Sequence, residues 1–382
     1  MSESFSFDAK KAGLWRFVPA LSFAAILATG FAVTISSLRD IPAQKWQQMA
    51  HLQKIAQGES SRTFTSQLNE HFLWSKPFAQ IERAVTWNLA GDTGAQVRTG
   101  CSGWFFLTDE LSTYSGGAQN ANARAYMVGE VGRMLKARGV TLVVTVVPDK
   151  SRIEQARLCG LHRPLAFADR IDAWESLLAG KQIRLIDLRA VLAGVNGGDA
   201  YYRTDSHWNE AGADAAAKAI VEQLRAWKLA EVPAHPVAAD AVKTVVSERM
   251  GDLYRVSSLD GLPGWARPAL EKTAVSIVAP VVNQSDDLFG DAGLPALALV
   301  GTSFSLRGNF VPMLSQHLGA PVANLAKDGG DFDGAALSYL RSATFQKEAP
   351  KVVLWEIPER MLQKPFKPSE RAWLEDLKQG RL

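Results

Sequence analysis

A long apolar run marks the N-terminal part of the chain. The basic residues Lys10, Lys11 and Arg16 precede it, and the run itself covers 17–37. At a rise of about 1.5 Å per residue, a helix over this run would be about 31 Å long, which is enough to cross the hydrocarbon core of a bilayer. The pattern predicts an uncleaved transmembrane signal anchor, with residues 1–16 in the cytoplasm and the remainder on the far side of the membrane.

Two alternatives to an anchor stay open. A cleaved signal peptide has a shorter apolar core and a clear small-x-small cleavage site, for which Ala28-Thr29-Gly30 is only a weak match. The second alternative is a helix buried in the core of a globular domain.

Beyond the anchor, residues 38–95 have the pattern of a helical neck, and apolar strands then alternate with amphipathic helices. The β-branched run Val140–Pro148 is typical of a strand buried on both faces, and similar runs occur at Pro295–Ser305 and Lys351–Ile357. This alternation predicts an α/β domain over 96–365, built as an α/β/α sandwich around a mostly parallel sheet.

Two segments of the body do not follow the alternation. Residues 230–290 are rich in Pro, Asp and Gly, which predicts an insertion of irregular or antiparallel structure. Residues 366–382 are predicted to be a C-terminal tail. In open α/β sheets, functional sites gather at the carboxyl ends of the strands, so the chemistry is expected just after the apolar runs.

Charge and cysteine content exclude several classes of protein. Lys and Arg number 42 against 39 Asp and Glu, a balance too even for a protein that reads nucleic-acid phosphates through a basic face. Two cysteines cannot build a multi-cysteine zinc site or a disulfide-rich scaffold. In an oxidising compartment Cys101 and Cys159 could pair, and the alternative is two separate buried thiols.

One histidine of the six has a catalytic-looking neighbourhood. His207 lies in Thr204-Asp205-Ser206-His207-Trp208-Asn209, directly before a predicted helix that Asn209 can cap. A carboxylate two residues away can fix the histidine tautomer and leave the other ring nitrogen as a base. The alternative is a structural pair.

A second candidate segment, Gly301-Thr302-Ser303-Phe304-Ser305, ends an apolar strand. A serine on a tight strand-to-helix turn has an exposed hydroxyl near free backbone N–H groups, which suits a nucleophile with an oxyanion hole. The segment is not a G-x-S-x-G elbow, because its last residue is Ser305, and an ordinary turn is the alternative.

The order of TDSHW, a strand ending in GTSFS, and VVLWEIPER resembles the alginate O-acetyltransferases AlgJ and AlgX, whose fold is SGNH-hydrolase-like. The resemblance extends from about Gly100 to Met361, and the N-terminal anchor matches AlgJ in particular. Because the chain stops soon after WEIPER, we expect it to lack the C-terminal carbohydrate-binding module of AlgX. The resemblance implies Ser303 as nucleophile, His207 as base and Asp205 as the acid that orients it.

Further residues near these motifs are weaker candidates for binding. Lys150 could meet a uronate carboxylate, Arg307 and Asn309 could contact the acceptor or an oxyanion, and Gly330 could supply an oxyanion N–H. For all four the alternative is a loop or turn role. Glu356 and Arg360 are expected to form a structural ion pair. No metal-ligand spacing and no phosphate-binding Gly loop occurs, so neither a metal nor a cofactor is predicted.

The resemblance implies a periplasmic O-acetyltransferase, held on the inner membrane, that acts on an exopolysaccharide such as alginate. Its expected acetyl donor is a multi-pass membrane acyltransferase, because acetyl-CoA is not expected outside the cytoplasm. Two alternatives stay open: an acetyl esterase with the same triad, and a non-catalytic polysaccharide-assembly subunit.

Overall fold

The computed structural model describes residues 17–72, 75–101, 103–195, 198–230, 242–279, 281 and 295–381. It divides into two compact units, Met1–Thr86 and Trp87–Leu382.

The first unit is helical. Its helices are α1 (Val18–Arg39), α2 (Ala43–Met49), α3 (Leu52–Ala56), α4 (Glu59–His71) and the greater part of α5 (Ser75–Ala90). A proline in the first turn, where its missing N–H breaks no helical bond, starts α1. Within the described residues, α1 is the helix that is long and apolar enough to cross a membrane, and its large apolar side chains are exposed.

The second unit alternates strands and helices. Its strands are β1 (Val97–Thr99), β2 (Phe105–Leu107), β3 (Thr141–Val147), β4 (Arg184–Asp187), β5 (Val242–Arg249), β6 (Glu271–Val278), β7 (Leu297–Val300), β8 (Val322–Asn324) and β9 (Val352–Pro358). Its helices are α6 (Gly117–Ala137), α7 (Lys150–Ile153), α8 (Arg170–Ala179), α9 (Arg189–Ala193), α10 (Glu210–Ala226), α11 (Asp252–Val256), α12 (Phe310–Leu318), α13 (Gly334–Leu340), α14 (Ala343–Lys347) and α15 (Pro368–Lys378).

In the described part of the chain, five strands form a parallel sheet in the order β4-β3-β9-β7-β8. Alternate residues of one strand enter opposite cores: Val144 and Val146 pack with α6, α8, α13 and α15, whereas Val143 and Val147 pack with α10 and α12. Helices therefore cover both faces of the sheet, which explains the unbroken apolar strands. The predicted α/β/α sandwich is confirmed.

The predicted insertion contains regular antiparallel structure. Strands β5 and β6 pair from Val242↔Val278 to Arg249↔Glu271, and α11 lies in the connection between them. The flanking parts 231–241 and 282–294 lie outside the described residues.

Most of the predicted C-terminal tail belongs to the core. It forms α15, whose Trp373 and Leu377 are buried in the same apolar cluster as α6. Glu370 of α15 also pairs with the buried Arg124 at 2.8 Å. The prediction of a tail was therefore wrong for this segment: its apolar side chains recur at helical spacing, so that a helix can bury them against the core.

The structure joins Cys101 and Cys159 in a disulfide, with the Cα atoms 5.3 Å apart. The bond ties the loop before β2 to the loop after α7. The same two loops also share a backbone hydrogen bond from Cys101 to the Arg157 carbonyl, at 2.9 Å. Of the two alternatives for the cysteines, the structure shows the bonded one.

Candidate active site

The serine turn, defined here as Gly301–Ser305, follows the carboxyl end of β7. Glu356 on the neighbouring strand β9 holds it: one carboxylate oxygen accepts from the backbone N–H of Thr302 at 2.6 Å, and the hydroxyls of Thr302 and Ser305 donate to the carboxylate at 3.0 Å. A Cβ at Gly301 would lie 2.6 Å from this carboxylate, so only glycine fits there. The turn leaves Ser303 partly exposed.

The Asp–His loop, defined here as Arg203–His207, brings a base to this serine. The Nε2 atom of His207 lies 2.6 Å from the Ser303 hydroxyl, and its Nδ1 lies 2.6 Å from one carboxylate oxygen of Asp205. The imidazole packs edge-on against Phe304 of the serine turn, with 4.9 Å between ring centroids. The structure thus brings the three predicted residues into one hydrogen-bonded line with the spacing that nucleophile, base and orienting acid require.

Lys150 holds the inner side of the Asp–His loop. Its ammonium donates to the carbonyls of Phe105, Arg203 and Asp205 at 2.5, 2.8 and 2.9 Å, and the residue is 1% exposed. These contacts differ from the predicted one with a uronate carboxylate, because the ammonium is buried and its three N–H donors are already used. Lys150 therefore serves to position the loop.

The outer side of the Asp–His loop is held by the insertion, which sequence reasoning did not connect with the site. The second carboxylate oxygen of Asp205 accepts from the Arg249 guanidinium at 2.6 Å and from the Asp252 backbone N–H at 3.2 Å. The Asp252 carboxylate in turn accepts from the backbone N–H and the hydroxyl of Ser206, at 2.7 and 2.6 Å.

Glu271 adds a third contact from the insertion. Its carboxylate accepts from the backbone N–H groups of Arg203 and Thr204 at 2.7 and 3.1 Å, and from the Thr204 hydroxyl at 2.9 Å. Nothing in their spacing distinguishes these insertion residues from solvated surface charges, so no sequence signal was available to find them.

The charges around Asp205 keep it ionised. Burial by itself raises the pKa of this carboxyl, but hydrogen bonds from His207 and the charges of His207 and Arg249 outweigh burial and lower it. An ionised Asp205 accepts from the Nδ1–H of His207 and leaves Nε2 facing the serine as the base. At Glu356 the balance is the other way round. Burial raises the pKa of this carboxyl and outweighs the hydrogen bonds from Thr302 and Ser305, which lower it.

The other predicted binding residues make structural contacts. Arg307 pairs with Asp328 at 2.9 Å on the surface. Asn309 lies in the left-handed backbone region at φ 53°, and its amide donates to Glu210 at 2.9 Å and to the Ser276 carbonyl at 2.6 Å. The Gly330 N–H donates to the Lys327 carbonyl at 3.0 Å, so it is not free for an oxyanion.

The predicted ion pair between Glu356 and Arg360 is also replaced by other contacts. Glu356 is occupied by the serine turn, and the Arg360 guanidinium lies 3.8 Å from Glu110 instead. Among the hydrogen bonds of the described residues, the backbone N–H of Phe304 donates to the Thr302 hydroxyl, whereas none from the backbone N–H of Ser303 is found, which makes the latter the candidate oxyanion donor.

One cluster has the composition of a metal site. Asp205, His207 and Asp252 each direct one ligand atom to within 4.8 Å of the others. The Arg249 guanidinium already supplies the cation beside Asp205, and Ser206 donates to Asp252, so the cluster fits a hydrogen-bonded network better than a metal centre.

The family model described as "SGNH hydrolase-like domain, acetyltransferase AlgX" matches residues 97–359. A probable alginate O-acetylase AlgJ from Pseudomonas aeruginosa is 32% identical over 324 residues, which are 81% of each chain. A counterpart from Pseudomonas putida is 29% identical over 377 residues, covering 96% of this chain and 95% of the relative.

Solved structures agree with these relatives. The O-acetyltransferase domain of Pseudomonas putida AlgJ superposes with a TM-score of 0.63 at 28% identity, covering 75% of this chain and all of that one. Pseudomonas aeruginosa AlgX gives a TM-score of 0.52 at 26% identity, covering 75% of this chain and 68% of AlgX. The resemblance noted from the motifs is confirmed: the chain belongs to the family of SGNH hydrolase-like domains of the AlgX acetyltransferase type.

Proposed function

We propose that this chain is a periplasmic O-acetyltransferase that carries an acetyl group on Ser303 and transfers it to hydroxyls of an exopolysaccharide. The observation that carries the proposal is the line from a partly exposed Ser303 hydroxyl through His207 to an ionised Asp205. Relatives named alginate O-acetylases support acetyl transfer as the reaction and alginate as the first acceptor to test.

In the first half-reaction His207 Nε2 takes the proton of the Ser303 hydroxyl while the oxygen attacks the acetyl carbonyl carbon of the donor. The negative charge on the carbonyl oxygen is met by the backbone N–H of Ser303. When the tetrahedral intermediate collapses, the donor's ester bond breaks, the leaving group takes the proton from His207, and acetyl-Ser303 remains.

In the second half-reaction His207 removes a proton from a sugar hydroxyl, which attacks acetyl-Ser303. The acetylated sugar leaves, and the serine oxygen regains its proton from His207. Asp205 stays ionised throughout and stabilises the imidazolium that forms in each half-reaction.

The setting of the enzyme is part of the proposal. Helix α1 would hold the chain on the inner membrane, with the second unit in the periplasm, where the Cys101–Cys159 disulfide is stable. The proposed donor is a multi-pass membrane acyltransferase that exports acetyl groups, and the proposed acceptor is an exopolysaccharide near the same membrane.

The test uses the full chain in detergent with an activated acetyl ester, with and without alginate oligosaccharides. Wild type, Ser303→Ala and the matched control Ser176→Ala, an exposed serine on α8, are compared by mass spectrometry. We expect acetylated sugar and acetyl-Ser303 with wild type and the control. With Ser303→Ala we expect at least about a 10³-fold loss of turnover.

The remaining outcomes separate the alternatives. Serine-dependent cleavage of the ester without acetylated sugar would identify an esterase for which water is the acceptor. Equal behaviour of wild type and Ser303→Ala would overturn the triad and favour a non-catalytic assembly subunit.

A further inference from the structure

Arg249, the last residue of β5, lies beside Asp205 but outside the Ser–His–Asp line. Its guanidinium donates to the carboxylate oxygen of Asp205 that His207 does not use, and it stacks on the Tyr202 ring, 3.7 Å from the ring centroid. We propose that Arg249 is a positioning residue that fixes the Asp205 carboxylate so that its other oxygen faces His207 Nδ1. As a statement about catalysis, this proposal rests on the proposed function.

The contacts of Asp205 show why a second anchor matters. One carboxylate oxygen accepts from both the Nδ1 and the backbone N–H of His207, at 2.6 and 3.0 Å. A carboxylate held on one side only can rotate about its Cβ–Cγ bond. The charge-assisted bond from Arg249, at 2.6 Å, is shorter than the neutral one from Asp252, at 3.2 Å, and is the stronger constraint.

The surrounding charges give Arg249 a second effect. Asp205 and His207 face Asp252, whose carboxylate lies 3.5 Å from His207 Nδ1. Lys150 contacts the Asp205 carbonyl from the inner side, and Glu271 binds the backbone N–H groups of Arg203 and Thr204, the two residues before Asp205. The Arg249 cation offsets the negative charge of Asp205 and Asp252 beside the ring, and it helps to lower the pKa of Asp205.

The hairpin delivers Arg249 in a fixed register. Arg249 is paired across β5 and β6 with Glu271, which binds the backbone of Arg203 and Thr204. One cross-strand pair therefore holds both the beginning of the Asp–His loop and its acid. The Tyr202 ring, which is 5% exposed, supports the guanidinium from the other side.

The kinetic test uses the full chain in detergent and an activated acetyl ester from pH 5 to 9. It compares wild type with Arg249→Gln, Arg249→Lys and the control Arg255→Gln, an exposed arginine on α11, with Ser303→Ala as the background. Loss of a hydrogen bond between charged groups predicts about a 10- to 100-fold fall in kcat for Arg249→Gln, with KM little changed.

The pH dependence distinguishes positioning from a structural role. We expect the acid limb of the Arg249→Gln profile to move to higher pH, because Arg249 is one of the charges that lower the pKa of Asp205, and the acid limb depends on the proton affinity of the acid–base pair to which Asp205 belongs. Arg249→Lys keeps the charge and should restore this limb, with only part of kcat recovered, because an ammonium lacks the planar fork of arginine. A rise in KM at unchanged kcat would overturn the proposal and indicate substrate binding.

A second measurement does not depend on turnover, so it tests the positioning role of Arg249 even if the chain is not an acetyltransferase. We expect proton NMR to detect a strongly downfield proton on His207 Nδ1, because the bond from this atom to Asp205 is only 2.6 Å long. We expect this signal in wild type, Arg249→Lys and Arg255→Gln, and its loss or displacement in Arg249→Gln. An unchanged signal in a folded Arg249→Gln protein would overturn the positioning role. Turnover retained by Ser303→Ala would instead overturn the proposed function.

Discussion

The serine turn and the Asp–His loop meet at a hydrogen bond of 2.6 Å, but they are held in different ways. The serine turn follows a central strand and is fixed by Glu356 on the adjacent strand β9. The Asp–His loop is fixed on its inner side by Lys150, which follows the interior strand β3, and on its outer side by Arg249, Asp252 and Glu271 of the insertion.

Because of this difference, we expect substitutions in the two loops to affect folding to different degrees. The serine turn depends on the sheet itself, so changes there disturb the core together with the site. The Asp–His loop depends on ion pairs and hydrogen bonds from a hairpin at the periphery, so changes there alter the base with less effect on folding. The predictions below test this contrast.

Glu356→Gln should have the largest effect of the three. The amide keeps the size of the carboxylate, and its oxygen can take the place of Oε2, which accepts from the Thr302 N–H and from both hydroxyls. Its NH₂ group cannot replace Oε1 as an acceptor for the Thr302 hydroxyl, and the negative charge that strengthens all of these bonds is lost. We expect the free energy of unfolding to fall by about 1–3 kcal/mol and kcat to fall with it. Denaturant unfolding and ester turnover measure the two effects. A loss of activity at unchanged stability would contradict the link between turn and core.

Lys150→Met should destabilise the Asp–His loop in a pH-dependent way. Burial lowers the pKa of Lys150 from 10.5 to about 8, against the charges of Glu110 and Glu271. Between these values the unfolded chain holds the proton and the folded chain does not, so stability from this group rises with pH. We expect the unfolding free energy of wild type, relative to Lys150→Met, to increase from about pH 8 to 10.5. A difference that is flat across this range would show that Lys150 titrates as an ordinary lysine.

Arg307→Ala should have the smallest effect, although Arg307 is close to Ser303 in sequence. Its partner Asp328 is 61% exposed, and surface pairs of this kind contribute about 0–1 kcal/mol. We expect melting temperature and turnover to remain close to wild type, whereas Arg249→Gln, far away in sequence, impairs kcat. A larger loss of activity in Arg307→Ala than in Arg249→Gln would contradict this ranking and would indicate that Arg307 contacts the acceptor, as the sequence predicted.

The sequence by itself determined the α/β/α sandwich and the family, because apolar strands buried on both faces and the motifs around Asp205, His207 and Ser303 are local patterns. It also placed an apolar helix at the N-terminus, where the structure has α1. The tertiary structure alone decided which charges belong to the site. Lys150, Arg307 and Asn309 are near motifs in sequence but have their donors taken by carbonyls and carboxylates. Arg249, Asp252 and Glu271 reach the Asp–His loop because the pairing of β5 with β6 brings them there, and no local pattern records a contact between residues so far apart in the chain.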